Sequence, residues 1–142
     1  MRRFCTALRE CAVVAAAVAC VIAVMVLFAA PVFRAGESYT LYLGGSSSAL
    51  AVETEHPLQD KTLFQNVAGE STVYDGNFYR EIKERFHATL LFTEEVCGVT
   101  NYYLYSGQLC GGVYLNGERV NLHVAVSAEQ TAVGSPLIFG GF

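Results

Sequence analysis

The chain predicts an α+β domain carried behind one N-terminal transmembrane helix. Three patterns carry this expectation: a 23-residue charge-free run between Glu10 and Arg34, one amphipathic helical repeat over residues 77–87, and successive strand patterns from Ala88 onward. The expected outer domain is a curved antiparallel sheet of about five to seven strands packed against that one helix.

Val13, Val14, Ile22, Val24, Met25, Val26, Leu27 and Phe28 typify the charge-free run. A helix crossing the roughly 30 Å hydrocarbon layer needs about 20 such residues, and the apolar core of a secretory signal needs only about 7 to 15. The run is therefore read as an anchor over residues 11–33. Arg2, Arg3 and Arg9 precede it and Arg34 alone follows closely. The positive-inside tendency then leaves residues 1–10 in the cytoplasm and makes residues 34–142 an extracytoplasmic domain of a single-pass cell-membrane protein. Ala29, Ala30 and Ala35 offer small residues for signal-peptidase cleavage, but Pro31 and Arg34 make each local site unfavourable.

After Arg34, the outer domain sets five basic residues (Lys61, Arg80, Lys83, Arg85, Arg119) against twelve acidic ones, a formal charge of −7. Such a balance argues against nucleic acid as a partner, because that affinity comes largely from Lys and Arg displacing counterions from phosphates. Of the five cysteines, only Cys97 and Cys110 lie in this domain. A bond between them is chemically permitted outside the membrane. An extended strand over residues 99–106 would hold them about 25 Å apart, however, so two small buried thiols are expected.

Along the domain, Glu37–Leu43 alternates as a strand and ends at Gly44-Gly45 and the serines after it. Leu50 and Val52 suggest a short strand. Residues 53–61 read as a loop, since His56 precedes Pro57 and the residue before proline avoids helical angles. Glu70–Tyr74 suggests another strand before the Asp75-Gly76 turn.

Phe78, Tyr79, Ile82 and Phe86 recur at helical spacing, with Asp75 or Asn77 as N-cap, Arg80–Glu84 and Glu81–Arg85 as four-apart pairs, and His87 at the end. Strands are then expected at about 88–94, 99–106, 111–115, 118–127 and 130–139. Asn116-Gly117 supplies the positive φ angles of a type I′ hairpin, placing Leu115 opposite Glu118 and Val113 opposite Val120. In that register Val113, Leu115, Val120, Leu122, Val124 and Val126 face the core. Tyr114, Arg119, Asn121, His123 and Ala125 face the other way.

Residues 117–126 (GERVNLHVAV) with 133–139 (VGSPLIF) resemble the C-terminal signature of the YwmB family of Gram-positive, largely spore-forming bacteria. The likeness extends more loosely through the Asn77 helix and the Glu94–Val99 turn. It implies a fold similar to that of the TATA-box-binding protein, with the cell envelope or sporulation as the setting. Longer relatives have room for two related halves; the shorter outer domain here implies a half-saddle that a second copy would complete through its polar face.

No metal or cofactor is expected. His56, His87 and His123 are not spaced as ligands, and no HxH, HxxxH or CxxC occurs. The Gly44–Ser48 turn lacks the endings of a phosphate loop or nucleophile elbow, and Glu94-Glu95 diverge as strand neighbours. Tyr114, Arg119, Asn121 and His123 remain as a candidate surface for a polar or anionic ligand, with Tyr102, Tyr103 and Tyr105 nearby for packing or sugar stacking. The expected function is a non-enzymatic, membrane-anchored binding or interaction domain. The alternative is a peptidoglycan-directed hydrolase using His123 as acid or base.

Overall fold

A computed structural model of the chain describes residues 2–33, 36–46, 48–64 and 66–139. They divide into two compact units, residues 1–30 and residues 31–142.

The first unit is helix α1 (Arg2–Ala29), about 42 Å long at 1.5 Å per residue. Its Arg9–Leu27 segment has a mean hydropathy of 2.7 and none of it is buried. It is long and apolar enough to cross a membrane. The charge-free run outlasts the helix: Pro31 cannot continue it, and Phe33 is 2% exposed within the core of the second unit.

The second unit contains β1 (Ser38–Leu43), β2 (Leu50–Glu53), α2 (Pro57–Leu63), β3 (Val67–Asp75), α3 (Tyr79–Arg85), β4 (Thr89–Val96), β5 (Val99–Tyr105), β6 (Val113–Leu115), β7 (Glu118–Val120), β8 (Leu122–Val126) and β9 (Gln130–Ser135). Seven strands form one sheet in the order β2-β1-β3-β9-β8-β5-β4, and β6–β7 is a separate ribbon. Every pairing in the large sheet is antiparallel. The expected α+β class and strand number hold.

Alternation sorts the sheet into two faces. Tyr39, Leu41, Leu104, Leu122, Val124 and Val133 pack with Phe33, with Ile82 of α3 and with Phe86 at its C-terminal end, forming the core. Phe33 meets Phe86 edge to face, with ring centroids 5.8 Å apart. The opposite face is partly covered by residues 136–139. A side chain at Gly134 would come within 2.8 Å of Ile138, and one at Gly69 within 2.9 Å of Phe139. The Phe139 ring in turn meets Tyr42 at 5.4 Å.

Several local expectations are corrected. Residues 57–63 are helical rather than loop: His56 keeps the non-helical angles required before proline (φ −124°, ψ 61°), and Pro57 takes the first helical position, where its missing N–H costs nothing. The expected 118–127 strand breaks at Asn121, dividing ribbon from sheet, and the 130–139 strand ends at Ser135. Val113 and Leu115 are consequently half-buried in the ribbon instead of joining the main core. Cys97 and Cys110 are free, as expected, but exposed.

Other features match. The Asn116-Gly117 hairpin has the expected register and positive φ at both turn residues. The N-cap of α3 falls on Phe78, which makes no side-chain cap bond, rather than on Asp75 or Asn77; Asn77, one residue earlier, still accepts the Tyr79 N–H on its Oδ1 at 3.1 Å. Arg80 pairs with Glu84 at 3.1 Å. His87, with φ +46°, ends α3 while the N–H groups of His87 and Ala88 bond to the carbonyls of Glu84 and Lys83, an arrangement that usually employs glycine.

Candidate functional site

The four residues expected to form one polar face are separated: Tyr114 and Arg119 lie on the ribbon, His123 on the large sheet, and Asn121 at the break between them. Tyr114 and Arg119 sit opposite each other on the β6–β7 ribbon. Tyr114 is 77% exposed. Arg119 donates from Nε and Nη2 to the Gly111 carbonyl at 3.1 and 2.6 Å. Its guanidinium also lies over the Tyr105 ring, 5.8 Å from the centroid. This links ribbon and sheet while leaving much of the cation in solvent.

Asn121 is fully buried. Its Oδ1 accepts the Ser106 N–H at 2.7 Å, and its Nδ2 donates to the carbonyls of Ser106 and Leu109 at 2.7 and 3.0 Å. These bonds brace the loop after β5. An isolated cavity around so polar a side chain would be costly, but here each of these loop groups has a partner.

His123 projects from β8 onto the sheet face opposite the core and is 8% exposed. Its Nε2–H donates to Asn101 Oδ1 at 3.1 Å, and its Nδ1 accepts the Ile138 N–H at 3.4 Å. One neutral tautomer satisfies both bonds. Burial, with no carboxylate partner, pushes its pKa down to about 4. A shallow depression of about 410 Å³ lies beside it, lined by Val96, Cys97, Val99, Asn101, Ala125 and Ile138.

The sheet register extends this site toward the β4 edge. Phe92, Tyr103 and His123 are consecutive cross-strand partners on β4, β5 and β8. Their rings stack at 4.5 and 4.6 Å, with interplanar angles of 22° and 10°. Tyr103 also donates its hydroxyl to Glu94 at 3.1 Å. Burial, followed by that bond to Glu94, raises the Tyr103 pKa. Phe92, Tyr103 and Tyr105 are half-buried, so the row is partly open. The tyrosine alternation identifies Tyr103 and Tyr105 as sharing a face; Phe92, Asn101 and Ile138 carry no comparable signal in the sequence.

A second cluster lies on the core side. Glu70, 5% exposed, bonds to the Tyr39 hydroxyl, the Val32 N–H at 3.2 Å and Lys61 Nζ at 2.8 Å. Burial and the adjacent carboxylate drive the Tyr39 pKa upward. This cluster ties α2, β1, β3 and the domain's first residues together. A cleft of about 880 Å³ beside it is bordered by Pro31, Phe33, Tyr39, Glu37, Glu53 and Glu55.

Among the described residues, no group of three or more histidine, cysteine, aspartate or glutamate side chains is placed to hold a metal ion. No family model matches the chain, and the comparisons with curated proteins and with solved structures likewise return no match.

Proposed function

We propose that this protein is a membrane-tethered, extracytoplasmic binding domain, held by an uncleaved single-pass helix with its N-terminus in the cytoplasm. The half-open aromatic row Phe92–Tyr103–His123, bordered by Tyr105, Tyr114 and Arg119, is the observation that carries this reading. Aromatic rings beside an accessible guanidinium offer apolar contact together with directed polar recognition, the composition favoured in protein interfaces. A partner protein or envelope component is the expected ligand, in keeping with the YwmB resemblance as an expectation. Tyr114, Arg119 and the neighbouring rings would make contact, whereas Asn121 and His123 would support that surface from beneath.

The hydrolase alternative finds less support. His123 has both ring nitrogens engaged by Asn101 and Ile138, and its lowered pKa leaves it a weak base at neutral pH. Among the described residues, no carboxylate is hydrogen-bonded to it.

A photo-crosslinking residue at Tyr114 in the full chain, activated on intact cells, tests the proposal. One discrete adduct is expected, reduced about tenfold by Arg119→Ala, which removes the adjacent cation. No adduct from Tyr114 or from an equivalent probe at Tyr105 would reject this surface.

A further inference from the structure

Among the described residues, the β4 edge of the sheet is unpaired over its whole length. β4 lies last in the sheet order and pairs only with β5. Among the described residues, no backbone bond joins β4 to a loop or to another element. Its eight residues, Thr89–Val96, contrast with four in β2 at the opposite edge. Soluble proteins usually blunt long edges with proline, charged side chains (lysine above all), bulges or a covering segment. β4 has no proline or lysine; its irregularity is confined to the shift between Leu90 and Phe92, and its charges, Glu94 and Glu95, oppose another acidic strand but leave the edge open to a basic one. From Phe92 to Val96 it is a regular strand presenting alternate unpaired backbone groups.

The side chains along this stretch have a definite order. Phe92 stacks on Tyr103, Glu94 accepts the Tyr103 hydroxyl, and Val96 borders the depression beside His123. All three are therefore on the sheet face opposite the core, at two-residue intervals. Val96 is 56% exposed. The edge reads apolar, acidic, apolar, and a strand laid against it would place its own alternate side chains about 4.5 to 5.5 Å from these three.

We propose that the edge of β4 takes an extended segment of a partner protein as an eighth strand, with a lysine or arginine beside Glu94 and apolar residues two positions away on either side. This proposal rests on the binding-domain reading and specifies its mode. Backbone pairing supplies affinity, while alternate side chains supply selectivity. The apolar–basic–apolar order reads the same in both directions, so it fits parallel or antiparallel addition. Charge argues against a second copy as the occupant: Glu94 and Glu95 are the charged residues of β4, and the outer domain has a formal charge of −7.

The test uses the full chain in detergent micelles and a labelled, end-blocked heptapeptide in which threonine alternates with valine, lysine and valine. Its controls replace lysine with glutamate, or N-methylate alternate backbone amides. The lysine peptide is expected to bind about tenfold more tightly than the glutamate peptide. Glu94→Lys should reverse that order, and Glu94→Gln should bring the two peptides close together. Binding should slow hydrogen exchange at alternate β4 amides about tenfold while leaving β9 unchanged, and N-methylation on the pairing edge should abolish it.

Equal affinities of the charged peptides, or unchanged exchange in β4 at saturation, would overturn the proposal. So would β4 protection produced by raising the protein concentration alone, which would identify a second copy as the occupant. Crosslinking at Tyr114 without β4 protection by the peptide would overturn strand addition and retain the binding surface. Failure of both experiments would reject both readings.

Discussion

His123 combines a packing role with a built-in pH dependence. Its folded pKa is pushed down to about 4, against about 6.5 for an unfolded chain. The neutral ring is therefore favoured in the fold; its contribution is fully present above about pH 6.5 and is lost as pH falls toward 4. The difference amounts to roughly 3 kcal/mol. Urea midpoints measured between pH 4 and 7 should show this loss in the native chain, and His123→Gln should flatten that part of the curve. Strand alternation in the sequence correctly separates His123 from the core face. It says nothing of the Ile138 N–H that reaches the ring, because that bond depends on how the segment after β9 returns across the sheet. Asn121 illustrates the same limit: its polar side chain resembles a surface group in the alternation, yet the Ser106–Leu109 loop closes around it.

At the scale of elements, local turn chemistry was the most legible feature. Asn116-Gly117 prescribes its hairpin because both positive φ angles are encoded within two adjacent residues. Cys97-Gly98 makes a corresponding two-residue turn between Val96 and Val99, with φ angles of +52° and +81°, and it carries Cys97 into solvent. Pro57 was harder to interpret because proline both ends helices and begins them. The segment after β9 depends on the absence of a side chain at Gly134, where a new Cβ would lie 2.8 Å from Ile138 N. Gly134→Ala should displace this segment, costing about 1 to 3 kcal/mol. The His123 pKa should then rise from about 4 toward its ordinary value, measurable by an NMR titration of the imidazole.

Across the molecule, the boundary between helix and folded unit bears on processing. Val32 and Phe33 are held by Glu70 and Phe86, so cleavage after Ala35 would remove a buried aromatic residue from the core. Cleavage after Ala30 would spare it but puts Pro31 at the scissile bond. The mature protein is therefore expected to retain residues preceding Ala30, as intact-mass measurement of membrane-extracted material can check. Phe33→Ala should cost about 3 to 5 kcal/mol in the unfolding of the second unit. The fold class was legible because hydrophobic periods reveal helices and strands individually; the strand order was not, because β9 pairs with β3 through distant partners such as Asp75 and Gln130. β9 joins β2-β1-β3 on one side to β8-β5-β4 on the other, although it is the last of the nine strands among the described residues. During synthesis the sheet therefore cannot close until Ser135 has emerged, so its two halves stay unjoined for nearly the whole length of the chain.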